Sequence, residues 1–239
     1  MRMRKLLISS LLLVSLLALS FDRPCRLAAQ AAPQERSPVE RRRAERSPIE
    51  LASGARVEFS SFASAALKED REFSIYLPPT YAKSNRNYPV VYFLHGLNND
   101  HTSWTVDRYG HIHEQVDKLI AEKKIPEILM VHPKGDNSFY TNYIDGSRNY
   151  EDFITGDLVQ YVEKTYRAKP GGRWRTIGGT SMGGFGALKI AFKHKDLYSA
   201  VAAHSPIVFL ADPAQMSDQT KNSGRFEWFT RMITPMFGN

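Results

Sequence analysis

The chain has 239 residues, and the roughly 190 that follow its first segments are enough for one domain with a sizeable core. Its formal charge of +7 is concentrated at the start: without the first 31 residues, 27 basic residues face 24 acidic ones, which gives no electrostatic ground for a nucleic-acid partner. The one cysteine, Cys25, falls in that same segment, so a chain lacking it has no disulfide, thiol nucleophile or cysteine metal site.

Met1–Lys5 is a short basic start, Leu6–Phe21 is almost without polarity, and Ala29-Gln30-Ala31 fits a small-residue cleavage pattern. The apolar run is shorter than the about 20 residues that span a bilayer. Residues 1–31 therefore read as an export signal, with an uncleaved anchor as the alternative. The mature protein is expected to be secreted or periplasmic and to keep no stable membrane span. Residues 32–50 repeat Glu-Arg-Ser-Pro-Val/Ile-Glu around Arg41-Arg42-Arg43. Such dense charge with two prolines cannot bury enough surface to offset chain entropy, so the segment reads as a disordered charged linker rather than a basic surface patch. Residues 51–239 are left as the folded domain.

Val57-Glu-Phe-Ser and Arg71–Leu77 alternate apolar and polar residues, as two half-exposed antiparallel strands at a sheet edge do. Val90–Leu94 is a continuous apolar run, expected to be buried on both faces of a parallel sheet. Ile112, Val116, Leu119 and Ile120 follow at helical spacing. Ile128–Val131 is the next strand, and Ile154, Leu158, Tyr161 and Val162 mark a second helix. Arg175–Ile177 leads into a glycine-rich turn, a helix over about 184–192 and a last strand, Ala200–Ala203. Alternation of this kind predicts an α/β fold with a mostly parallel sheet, and places the chemistry at the carboxyl ends of the strands.

Two motifs fall there. Gly179-Thr-Ser181-Met-Gly183, between a predicted strand and a predicted helix, has the G-x-S-x-G spacing of a nucleophile elbow. Its glycines leave room for a turn so tight that Cβ atoms two residues either side would collide with backbone. The serine hydroxyl then projects at a helix amino end, whose dipole favours developing negative charge. The bland reading is an unrelated glycine turn. Leu94-His95-Gly96-Leu97 directly follows the first buried strand, where this fold draws one oxyanion amide from the loop and the other from the residue after the nucleophile. Leu97 and Met182 are the candidates, and such a donor is worth about 3 kcal/mol of transition-state stabilisation. His95 is expected to be structural.

Tyr92–Leu97 with Trp104, Ser138–Tyr143, Tyr150–Ile154 and Gly179–Leu188 together resemble the putative-esterase family of the α/β-hydrolase superfamily, over about residues 56–210 and in order. That family includes esterase D (S-formylglutathione hydrolase), feruloyl and acetyl-xylan esterases and the mycolyltransferases. The resemblance implies an α/β-hydrolase fold, Ser181 as nucleophile, and Leu97 and Met182 as oxyanion donors. It implies no cofactor. The substrate it implies is a small-molecule or carbohydrate-linked acyl ester. The absence of a mature cysteine and the export signal favour a carboxylesterase over a glutathione thioesterase.

The departure comes after Ser181, where the family has an acid and then a histidine beyond two further strands. The 58 residues that follow hold only His194, His204, Asp196, Asp212, Asp218 and Glu227. His194 is expected to be exposed. His204, at a strand end, reads as a hydrogen-bonded histidine sooner than a base. The acid, the histidine and two strands are thus expected beyond residue 239, with the present chain inactive without them. Acyl transfer to a sugar acceptor and a non-catalytic binding protein are the alternatives. Phe226–Phe237 is aromatic-rich with no evident core partner, and Trp104, Tyr140 and Tyr143 are candidates for a substrate cleft. The histidines show no clustered spacing such as H-E-x-x-H, so no metal is expected.

Overall fold

The computed structural model describes residues 47–106, 110–207 and 224–238, save the side chains of Arg225 and Phe226. The expected leader and residues 32–46 of the expected linker lie outside these. Ile49–Glu50, the end of that linker, form strand β1, so the sheet begins two residues before the expected domain boundary.

Among the described residues seven strands form one sheet in the order β1-β2-β3-β5-β4-β6-β7. They are β1, then β2 (Arg56–Ser64), β3 (Glu69–Leu77), β4 (Val90–Leu94), β5 (Leu129–Pro133), β6 (Arg175–Thr180) and β7 (Ala200–His204). The expected hairpin is present, with Arg56 opposite Leu77 and Ser64 opposite Glu69. β3 then lies antiparallel to β5, while β5-β4, β4-β6 and β6-β7 pair in parallel. Five of the seven strands thus point one way, the mixed, mostly parallel sheet of an α/β fold.

Among the described residues four helices cover it: α1 (Ile112–Ala121), a composite α2, α3 (Met182–Lys193) and α4 (Gly224–Phe237). Helix α2 runs from Tyr150–Asp152 through a π-helical stretch, Phe153–Leu158, into Val159–Thr165. Helical periodicity finds its buried face, Ile154, Leu158 and Val162, but not the wider winding between them. Asp157, on that stretch, accepts bonds from Ser64 Oγ (2.6 Å) and the Ala66 amide (2.9 Å), tying α2 to the end of β2.

Strand β4 shows why its run carries no alternation. Val90, Tyr92 and Leu94 enter one core with Ile75, Val131, Ile177 and helices α2, α3 and α4. Val91 and Phe93 face the other, with Val57, Met130 and α1. A strand covered on both sides needs apolar residues at every position. β7 differs: it is the outer strand, with Ala200, Val201, Ala202 and His204 exposed, and no described strand pairs beyond it. The aromatic-rich tail has a core partner after all. Phe229, Met232 and Ile233 pack on the main core, Phe139 stands edge-on to Phe229 and Phe237, and Phe185 edge-on to Phe237.

Candidate active site

β6 delivers Ser181 to the amino end of α3. Its backbone takes φ 54° and ψ −116°, a region that a residue with a Cβ enters only under constraint. Three hydrogen bonds hold it: Ser181 N–H donates to His204 O (2.9 Å), and its own carbonyl accepts from the Phe185 and Ile207 amides (3.0 and 3.3 Å). The residue is half-buried, so its hydroxyl is reachable.

The flanking glycines have the expected steric reason. A Cβ on Gly179 would lie 2.4 Å from the Gly183 backbone, and one on Gly183 would lie 2.2 Å from Leu94 O. The turn closes on itself and against the end of β4, so neither position has room for a side chain. That packing also sets the loop after β4 beside the serine: a Cβ on Gly96 would sit 3.5 Å from Ser181 Cβ. Asn99 N–H donates to Gly96 O (3.2 Å), a turn in which the Leu97 amide takes no part. Met182 opens α3, and first-turn amides have no intrahelical acceptor. Leu97 and Met182 thus lie on the two chain segments that flank Ser181.

His95 is buried and locked. Its Nε2 accepts from the Gly135 amide (2.9 Å), so its Nδ1 carries the hydrogen and donates to Gly96 O (2.8 Å). Burial lowers its pKa, which keeps the ring neutral. It works as a strut between the loop after β4 and the loop after β5. Tyr140 reinforces that strut by donating to His95 O (3.0 Å), and Asn98 and Asn137 exchange two further bonds (2.8 and 2.9 Å).

Tyr140 and Trp104 are framework rather than cleft. Tyr140 is fully buried, its ring in contact with both Gly135 and Gly186 at positions a Cβ would fill. Trp104 is buried against Phe93 and His132. Tyr143 alone of the three stays half-exposed. The supporting roles of Gly135, Asn137 and Gly186 are not legible from the residues alone, because their partners are distant in the chain; two successive aromatic residues at left-handed φ, Phe139 (52°) and Tyr140 (53°), mark that loop only in the structure.

The other histidines do not reach the serine hydroxyl. His204 contributes its carbonyl, which also accepts from Thr180 Oγ1, and its ring lies by Phe93. His194, expected to be exposed, is partly buried and bonds Glu151 Oε1 (2.8 Å) at the far end of α3, beside a groove of about 610 Å³ that includes Asp152, Lys193 and Leu197. Burial pushes the Glu151 carboxyl up, but Lys193, His194 and Lys189 outweigh it and hold its pKa at about 2. Asp212 and Asp218 lie outside the described residues. Glu227 pairs with Arg231. Among the described residues, no imidazole or carboxylate bonds Ser181 Oγ. Away from this site, His111, His113 and Glu114 bring nitrogen and oxygen donors together at the start of α1.

Residues 64–233 match the family described as Putative esterase. The chain is 32% identical over 153 residues to Esterase Rv1288 of Mycobacterium tuberculosis (strain ATCC 25618 / H37Rv), covering 63% of this chain and 32% of that protein. It is 29% identical over 132 residues to an endo-1,4-beta-xylanase/feruloyl esterase of Xylanibacter ruminicola, covering 52% and 18%. It thus spans a third or less of the length of these relatives. Among solved structures, a ferulic acid esterase superposes with a TM-score of 0.61 at 30% identity, over 66% of this chain and 63% of that one. The S-formylglutathione hydrolase of Agrobacterium tumefaciens shares the fold, with a TM-score of 0.58 at 22% identity over 80% and 68%. With seven-tenths of its length matched and an α/β-hydrolase architecture around a strand–serine–helix turn, the chain belongs to the Putative esterase family.

Proposed function

We propose that the protein is an exported serine carboxylesterase that hydrolyses acyl esters through Ser181. One observation carries the reading: a half-buried serine is held at φ 54° where β6 enters α3, with the Gly96 loop against its Cβ. A turn that forces a non-glycine residue into this conformation is a cost the fold bears at a half-buried serine between a strand and a helix. Ser181 Oγ attacks the acyl carbon, and the Leu97 and Met182 amides take the oxyanion as the carbonyl bond opens. Collapse expels the alcohol and leaves an acyl-serine, which water then cleaves. The attack releases the hydroxyl proton to a base, and none of the described side chains fills that role.

The esterase names of the relatives support the reaction class, and the ferulic acid esterase among the structural neighbours supports an aromatic acyl ester as substrate. Residues 1–31 are proposed as the export signal, and no helix among the described residues is long and apolar enough to cross a membrane. A second reading, a non-catalytic binding protein, is favoured by the lack of a described imidazole at Oγ.

Labelling with a fluorophosphonate tests whether Ser181 is activated. Stoichiometric labelling of Ser181, lost in Ser181→Ala, is expected of the esterase. Hydrolysis of a feruloyl ester should fall at least about a thousandfold in the same variant. No labelling would show that Ser181 is not activated in this chain, as in a binding protein or an esterase that lacks its base.

A further inference from the structure

The start of α1 carries a second constellation, unrelated to Ser181. One ring nitrogen each from His111 and His113 and a carboxylate oxygen of Glu114 lie within 4.8 Å of one another. His111 Nδ1 stands 3.7 Å from Glu114 Oε1, and the two imidazole centroids are 5.6 Å apart. Two features go beyond a helix amino end with polar residues nearby. His111 takes a left-handed φ of 50°, which turns the chain so that residues 111 and 113 face each other. His113 is 3% exposed, yet its Nδ1 has no hydrogen-bond partner among the described residues.

That orphaned nitrogen is informative. A neutral His113 protonated at Nε2 presents an unshared pair on Nδ1. A buried acceptor with no donor is otherwise a cost without return.

We propose that His111, His113 and Glu114 bind a divalent transition-metal ion of the zinc type. Two imidazoles and one carboxylate suit Zn²⁺, Co²⁺, Ni²⁺ or Cu²⁺ and not the all-oxygen preference of Ca²⁺ or Mg²⁺. Donors on a tetrahedral zinc ion lie about 3.3 Å apart, so small rotations of His111 and Glu114 close the set around one ion and leave a fourth position for water. The positive pole of α1 opposes a cation, and the Glu114 carboxylate in the first turn offsets it. Through His113 the ion would fix the Ser103–Thr105 turn, which follows the loop flanking Ser181.

The test uses the untagged full-length chain, stripped with a chelator. Co²⁺ as a spectroscopic probe should give visible d–d bands, and Zn²⁺ calorimetry should give one equivalent with a raised melting temperature. His111→Ala and Glu114→Gln change partly exposed side chains and should fold; each is expected to weaken Zn²⁺ at least about tenfold and to reduce the Co²⁺ bands. His113→Ala should abolish both. No saturable binding, or a stoichiometric affinity unchanged in the His111→Ala/Glu114→Gln double variant, would overturn the site.

Discussion

At Ser181 the backbone is held at φ 54° and ψ −116°, which glycine enters freely and other residues enter at a cost of about 1–3 kcal/mol. Alanine retains the Cβ and so retains the strain. Ser181→Gly should therefore melt several degrees above Ser181→Ala, a gain of about 1 kcal/mol, although both lack the hydroxyl. Coincident melting curves would show that the turn is not strained. The glycines beside it leave no such latitude, because a Cβ on Gly179 or Gly183 meets backbone rather than a flexible side chain. The G-x-S-x-G spacing was legible in the sequence because this steric demand is local. The tautomer of His95 was not, because it depends on Gly135, forty residues away.

Helix α4 is where element-scale reading and structure part. Its aromatic residues suggested a stretch without a core, yet they complete one built from Phe139 on the loop after β5 and Phe185 on α3. Met236 is 5% exposed within that core, and Ile144 N–H donates to Pro235 O (3.0 Å), which anchors the last turn. Met236→Ala should cost about 2–3 kcal/mol in chemical denaturation, whereas Trp228→Ala, at an exposed position of the same helix, should stay within about 0.5 kcal/mol. Equal effects would mean that α4 does not dock. The period of the apolar residues marked a helix face, but only the position of Phe139 and Phe185 says what that face meets.

Across the whole molecule, burial lowers the pKa of His95, His101, His113 and His132, the last to about 3 against a bond to the Phe93 carbonyl. These rings are neutral in the native protein, while the unfolded chain protonates them below about pH 6.5. Between pH 6.5 and 3 the unfolded state therefore binds more protons, and stability falls as pH falls. For His132 alone the loss approaches about 1.4 kcal/mol per pH unit across that window. Urea midpoints should decline steadily below pH 6.5, and His132→Gln should flatten the decline. A midpoint independent of pH from 7 to 4 would count against buried neutral histidines.

The sequence by itself determined those features that near neighbours in the chain dictate. They are the alternating hairpin of β2 and β3, the doubly buried β4, the elbow at Ser181, and the alternation that names the α/β class. Each follows from side-chain period or from steric limits within a few residues. Tertiary structure alone decided the placement of β3 antiparallel beside β5, the enclosure of Tyr140 between Gly135 and Gly186, and the core that receives α4. It also decided the approach of His111, His113 and Glu114, where a left-handed residue turns a short polar stretch back on itself. Sheet order and packing arise from contacts between residues distant in the chain, and the turn at His111 is set by its φ, so neither is carried by the period of the residues themselves.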